Sequence, residues 1–154
     1  MMYYTHLVFA LLLSLSYIKF FAIEHRSLFA LVAVVSSLFP DIDETKSKIG
    51  RKAKILSNII NLFFGHRGIF HTVYPPIILF VISSLFKSEI AIAVVIGYSS
   101  HLFLDSLTPA GIRPLYPITN KKINGPFKTN SLSEKIMFLA IIFVDIYMIT
   151  KYIF

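Results

Sequence analysis

The chain has no cysteine and is short of acid, with eight Asp and Glu against fifteen Lys and Arg in 154 residues. Without cysteine there is no disulfide framework, no thiolate nucleophile and no thiolate metal site. Any metal must be held by imidazole and carboxylate. The redox compartment is left open. The opening stretch MMYYTHLVF has no basic n-region and no cleavage site follows it. The first apolar run therefore reads as a retained helix rather than a signal peptide. Internal repeats and low-complexity tracts are also missing.

What remains is largely apolar: 56% of residues are hydrophobic and the mean hydropathy is +0.73. A soluble domain of this length cannot bury that much apolar surface. The apolar residues come in long runs rather than alternating stripes, which points to an integral membrane protein. The expected fold is a single all-α domain over residues 1–154, a polytopic bundle of four to five transmembrane helices. The net charge of +7 then reports loop orientation and contact with anionic headgroups, and no nucleic-acid partner is expected.

Five runs are visible: Tyr3 to Ile23, Leu28 to Phe39, Ile69 to Phe86, Ile90 to Leu107 and Ile136 to Phe154. The second is shorter than the roughly 17–25 residues of a spanning helix and stops at Pro40. Pro75-Pro76 predicts a kink in the third run or the start of the helix proper. Ile55 to Phe64 is a brief apolar stretch suited to the interface. Lys87-Ser88-Glu89 is a tight turn. The Gly- and Pro-containing segment from Thr108 to Ser133 predicts an irregular, partly ordered connector.

If all five runs cross, one face receives the N-terminus, the 41–67 loop and the 108–135 segment. That face holds eleven of the cations: Lys46, Lys48, Arg51, Lys52, Lys54, Arg67, Arg113, Lys121, Lys122, Lys128 and Lys135. The other holds four: Lys19, Arg26, Lys87 and Lys151. The bias assigns the first face to the cytoplasm of a multi-pass cell (inner) membrane protein. Basic residues near a site also serve to bind an anionic substrate.

The same alternation gathers the chemistry. His6 opens the first run, Asp41 and Asp43 follow the second, His66 and His71 flank the start of the third, and His101 and Asp105 end the fourth. All seven fall on one face. Membrane packing does not require that convergence, whereas divalent-metal coordination by imidazole and carboxylate does. His101 and Asp105 are four apart and share one side of a helix. Asp41 and Asp43 are able to bridge two metals, or to divide between binding metal and orienting a histidine. The guanidinium fork of Arg67 suits phosphate or carboxylate. Each feature alone has an ordinary explanation: a helix-end histidine at the interface, an Asp cap or turn, a polar contact between helices, a headgroup anchor. Ser47 fits either a donor to the aspartates or a cap. His25, beside Glu24 and Arg26 on the opposite face, reads as a connector residue. Asp145 lies midway along the fifth run. An intramembrane carboxylate is a functional candidate, but its depth differs from that of the cluster, and a hydrogen bond to another helix is expected.

These residues resemble the membrane-bound metal-dependent hydrolase family of YdjM-like inner-membrane proteins. The likeness lies in Thr5-His6, in Phe39-Pro40-Asp41-Ile42-Asp43, in His66-Arg67-Gly68-Ile69-Phe70-His71-Thr72, and in Gly97-Tyr98 through His101, Asp105, Thr108 and Gly111. It covers His6 to about Pro117. Phe70 stands where the family has threonine and Thr72 where it has serine, which removes a hydroxyl near the ligands but no ligand. The family is more distantly similar to zinc-dependent phospholipase C and single-strand nucleases, so the resemblance implies phosphoester hydrolysis.

The function expected is a membrane-bound metal-dependent hydrolase that cleaves a phosphate ester of a lipid or lipid-linked substrate by metal-activated water. Membrane lipids are its other partners. One or two divalent ions, zinc or else manganese, are held by His6, Asp41, Asp43, His66, His71, His101 and Asp105. Arg67 stabilises developing charge and Asp41 or Asp43 takes the proton. The alternatives are a divalent-cation transporter, which needs a polar path to the other face, and a membrane protein with a purely structural metal.

Overall fold

Apolar length, prolines and one polar cap set the helix boundaries. In the computed structural model, which describes residues 1–43 and 68–153, α1 spans Tyr3–Phe20 and α2 spans Arg26–Ser36. A short 3-10 turn, Pro40–Asp43, follows α2, and another, Ile69–His71, precedes α3 at Tyr74–Ser84. The helix proper of the third run starts at Pro75-Pro76, which lie in the first turn of α3, where the missing N–H groups have no helical acceptor to lose. The fourth run is α4, Ser88–Ser106. The last helix, α5, spans Leu132–Tyr152 and starts earlier than the expected Ile136. The reason is its cap: Ser131 Oγ accepts the Glu134 N–H at 3.3 Å, a Ser-x-x-Glu start. The interfacial stretch 55–64 and Ser47 lie outside the described residues.

Among the described residues every regular element is helical, apart from the isolated bridge Ile112–Ile123. Of these helices, α1 and α4 are long and apolar enough to cross a membrane, at 18 and 19 residues. Helices α2 and α3 have 11 residues each, about 16 Å at 1.5 Å per residue, roughly half of a 30 Å hydrocarbon core.

Contacts between helix ends give the topology. The start of α1 meets the end of α4 through Met1 and Asp105, and the start of α5 through Met2 and Glu134. At the opposite end the Glu24 N–H donates to Glu89, at the start of α4, and Arg26 Nη1 donates to the Tyr152 carbonyl, at the end of α5. The end of α2 returns to α4 through Ser37 and His101. Direction thus reverses at every connection. His25 sits in the far-end connector, 58% exposed and 3.6 Å from Glu24, as a connector residue should.

Helix α4 lies in the middle, packed on α1, α2 and α3, with α5 laid against α1. The α2–α4 approach is set by small residues: Ala33 and Ala93 are fully buried. A Cβ on Gly97 would lie 1.9 Å from the Ala33 carbonyl oxygen, so only glycine permits this distance. The outward faces are apolar as well. Leu31, Ile77, Val81, Phe86 and Phe143 are all more than half exposed, an arrangement that water does not favour and lipid does.

The 107–131 connector is more ordered than its composition predicts. Ile112 and Ile123 exchange two backbone hydrogen bonds of 2.9 Å, and Leu107, Thr108 and Val73 tie the segment to Phe127, Gly125 and Pro114. Gly111 turns this corner with φ +61.

Candidate metal centre

Four elements deliver donors to one buried point. The first turn of α1 supplies His6, the Pro40–Asp43 turn supplies Asp41, the Ile69–His71 turn supplies His71, and the last turns of α4 supply His101 and Asp105. His6, His71, His101 and Asp105 are 2% exposed or less, and Asp41 is 23% exposed. Asp105 Oδ1 lies 3.5 Å from His6 Nε2, while Oδ2 lies 3.7 Å from His71 Nε2 and 3.8 Å from His101 Nε2. Asp41 Oδ1 is 3.6 Å from His101 Nε2. The His6 and His101 rings stack with centroids 3.9 Å apart, and His71 meets His101 edge-on.

These spacings suit one ion. Ligand bonds of roughly 2.0–2.2 Å in tetrahedral array separate neighbouring donors by about 3.3–3.6 Å. Two three-donor groups, His6–His101–Asp105 and Asp41–His71–His101, each have ligand atoms within 4.8 Å of one another. They share His101, whose Nδ1 lies 2.7 Å from the Ser37 carbonyl. A carbonyl only accepts, so Nδ1 carries the proton and Nε2 presents its lone pair to the cluster. That Nε2 has no hydrogen-bond partner, nor do His6 Nδ1 and Thr5 Oγ1, although all are buried. A buried donor or acceptor left unmade costs about 1–3 kcal/mol, and coordination removes that cost for a nitrogen aimed at carboxylates. The residues present therefore fit a divalent cation. The cluster already draws positive charge, since the Met1 amino group lies 2.8 Å from Asp105 Oδ1. Burial pushes the Asp41 carboxyl above the ordinary carboxylate range, with His6 pulling it down and Asp105 pushing it further up.

The YdjM inner membrane protein family matches residues 1–153. The chain belongs to that family. A Bacillus subtilis (strain 168) relative, "Uncharacterized protein YvsG", is 37% identical over 123 residues, covering 78% of this chain and 77% of the relative. "Inner membrane protein YdjM" of Escherichia coli (strain K12) is 36% identical over 92 residues, 55% of this chain and 47% of that protein. The match thus spans about half of that relative's length. The Shigella flexneri protein of the same name matches equally. No solved structure matches. Membership in a family of inner membrane proteins agrees with the two helices able to cross and with the apolar exterior.

Five of the seven expected ligands thus converge. Of the other two, Asp43 ends the first 3-10 turn, and its side chain lies outside the described residues, as do His66 and Arg67. Thr72, the family's serine position, is fully buried, and its hydroxyl donates to the Ile69 carbonyl at 2.6 Å. It shapes the turn that presents His71. At Phe70 the backbone is used, its carbonyl accepting from Tyr98 Oη at 2.7 Å. Thr108 and Gly111 close the end of α4: the Thr108 hydroxyl donates to the Asp105 carbonyl at 2.8 Å and accepts the Gly111 N–H at 3.3 Å.

Two buried acids differ from expectation. Asp145 is 3% exposed, and neither carboxylate oxygen has a hydrogen-bond partner. The expected bond to another helix is not made. Glu134 was not foreseen. It is fully buried and accepts the Met2 N–H at 2.7 Å and the Asn130 N–H at 2.6 Å. It fastens the segment before His6 to the start of α5. The Ser131-x-x-Glu134 pattern was the available signal, but it foretells a helix start rather than a long-range clamp.

Proposed function

We propose that this chain is a multi-pass membrane hydrolase that cleaves a phosphate ester with one bound divalent ion, zinc or manganese, at the cytoplasmic membrane surface. The observation that carries the reading is the buried His6–His71–His101–Asp105 cluster, with His101 Nε2 unpartnered and aimed at two carboxylates. A structural role would be better served by apolar packing, because buried unpaired polar atoms lower stability.

In this reading His6, His71, His101, Asp105 and Asp41 hold the ion. The ion supplies Lewis acidity and lowers the pKa of a water to about 7. Ser37 fixes the His101 tautomer, and Glu134 holds the segment leading to His6. Asp41, the most exposed of the five, would take the proton from the attacking water at the carboxylate oxygen that the ion leaves free. Arg67 and Asp43 serve the phosphate and the proton in the same scheme. The alternating helix directions support five passes, with α2 and α3 extended by their flanking 3-10 turns. The cation count supports a cytoplasmic site.

The test is metal content by elemental mass spectrometry on detergent-purified protein, with His101→Ala and Asp105→Ala beside it, followed by a screen of phosphate esters. One equivalent of metal, lost in both variants, together with metal-dependent turnover, is the expected result. A folded, monodisperse wild type that takes up no metal overturns the reading. A second reading, cation transport, draws on unpartnered Asp145, a carboxylate beyond the cluster in the bundle. Exchangeable metal with no turnover would select it.

A further inference from the structure

Two apolar grooves flank α4. One, of about 550 Å³, runs between α3 and α4 and is walled by Ile77 and Phe80 on one side and Leu102 and Phe103 on the other, with Ile112 and Ile123 at its end. The other, of about 660 Å³, runs between α1 and α4 past Leu13, Tyr17 and Phe20. Both lie within the roughly 300–1,000 Å³ of ligand pockets. Their ends differ. The α3–α4 groove ends at the Ile112–Ile123 bridge, whose chain neighbours Arg113 and Lys122 are exposed cations. From residue 107 to 133 the chain carries Arg113, Lys121, Lys122 and Lys128 and no carboxylate. The α1–α4 groove is lined from Phe9 to Phe21 and carries one cation, Lys19, whose Nζ lies 5.0 Å from the centre of the Phe20 ring, at the end of α1 away from the metal centre.

The cationic end of the α3–α4 groove is also built on the elements that carry the metal centre. Val73, which lines it, stands two residues after His71 and donates its N–H to the Pro114 carbonyl at 2.9 Å. That bond ties the residue after Arg113 to the turn that presents His71. Leu102 and Ser106, also in the lining, follow His101 and Asp105 directly. Lys122 Nζ donates to the Pro109 carbonyl at 3.2 Å, which holds the ammonium at the end of α4 with donors to spare.

We propose that the α3–α4 groove seats an acyl chain of an anionic phospholipid, whose phosphate rests against Arg113 and Lys122 beside the metal centre. This rests on the hydrolase reading and names its substrate class. Apolar walls take the chain and are indifferent to the headgroup. The two cations select for negative charge, and the fork of Arg113 matches phosphate oxygens. A choline phospholipid, whose own cation offsets the phosphate, gains nothing at this rim. The α1–α4 groove, with Lys19 alone at its far end, selects less strongly.

The experiment uses the full chain in vesicles doped with a photoreactive acyl probe, either as a diacylglycerol phosphate or as the choline phospholipid with the same chain. Cross-linked peptides are mapped by mass spectrometry. In the wild type the anionic probe should label α3 in preference to the choline probe, and by a larger factor than any difference between the two probes at α1. A cation near an anionic lipid is worth about 1 kcal/mol, about fivefold, so Arg113→Gln with Lys122→Gln should remove most of the preference. The α1 labelling is the internal control for folding. Equal labelling of the α3–α4 groove by the two probes in the wild type overturns the proposal, as does a preference that survives both substitutions. His101→Ala separates this from the hydrolase reading, because it should abolish metal and turnover and leave the labelling preference intact. Selective labelling of a wild type that turns over no phosphate ester would sink the hydrolase reading and leave the lipid site standing.

Discussion

Replacing Asp105 by asparagine tests the centre at its narrowest point. The side chains are nearly the same size, so packing is conserved, but one negative charge and one donor oxygen are lost. Asp105 faces three imidazole nitrogens at 3.5, 3.7 and 3.8 Å. In the metal-free protein the substitution removes the counter-ion of the buried Met1 amino group, 2.8 Å away, so the apo form should unfold below the wild-type temperature, a baseline shift that does not depend on metal. The metal-bound form should behave differently. Partners that only orient a ligand are worth 10–100-fold in metal affinity, so a direct donor should cost at least about 100-fold. Metal at 100 times the wild-type Kd stabilises that protein by about 2.7 kcal/mol, a rise in Tm of roughly 5–11 °C at 2–4 °C per kcal/mol for a chain of this length. In Asp105→Asn the same concentration gives RT ln 2, about 0.4 kcal/mol or roughly 1 °C. Thermal unfolding in detergent with and without zinc reads both numbers. A variant whose Tm rises with zinc as much as the wild type's would refute the role of Asp105 as a ligand.

Four further outcomes are expected. Gly97→Ala drives a methyl group to 1.9 Å from the Ala33 carbonyl. It should cost about 1–3 kcal/mol by overpacking and, by shifting Ser37 off His101, weaken metal binding 10–100-fold; unchanged zinc titration would argue against that coupling. Glu134→Gln leaves one of the Met2 and Asn130 N–H groups facing an amide NH2, and should lower unfolding stability by about 1.5–3 kcal/mol. Hydrogen exchange at Met2 should speed up in that variant, and unaltered protection would count against the clamp. Asp41 has a folded pKa raised by burial above its ordinary 3.8. Its contribution to metal-free stability is therefore greatest below that value and is lost as pH rises through the folded one. Asp41→Asn should raise the apo Tm at neutral pH, flatten its acid dependence and weaken zinc binding; an apo Tm at neutral pH no higher than the wild type's would contradict this. Asp145→Asn removes an unpartnered buried carboxylate and should raise the Tm with metal content unchanged, whereas a loss of cation uptake in vesicles would favour the transport reading.

The sequence alone determined the helical class, the apolar exterior and the side on which the donors gather. The physical reason is parity. In a chain of apolar runs that reverse at each connector, every second connector lies at the same end, so His6, Asp41, His71, His101 and Asp105 share one end of the bundle. The i, i+4 spacing of His101 and Asp105 likewise follows from helix geometry alone. What the linear order does not contain is lateral arrangement. That α4 is central, that Gly97 lets α2 come close enough for the Ser37 carbonyl to set the His101 tautomer, and that the donors stand at the separation of a single ion all depend on packing between distant segments. Glu134 and Asp145 show the same limit from opposite sides. Both are acids on α5, one clamped by two N–H groups from remote backbone and the other left without a partner. Only the neighbours that folding brings to each, unspecified by local pattern, distinguish them.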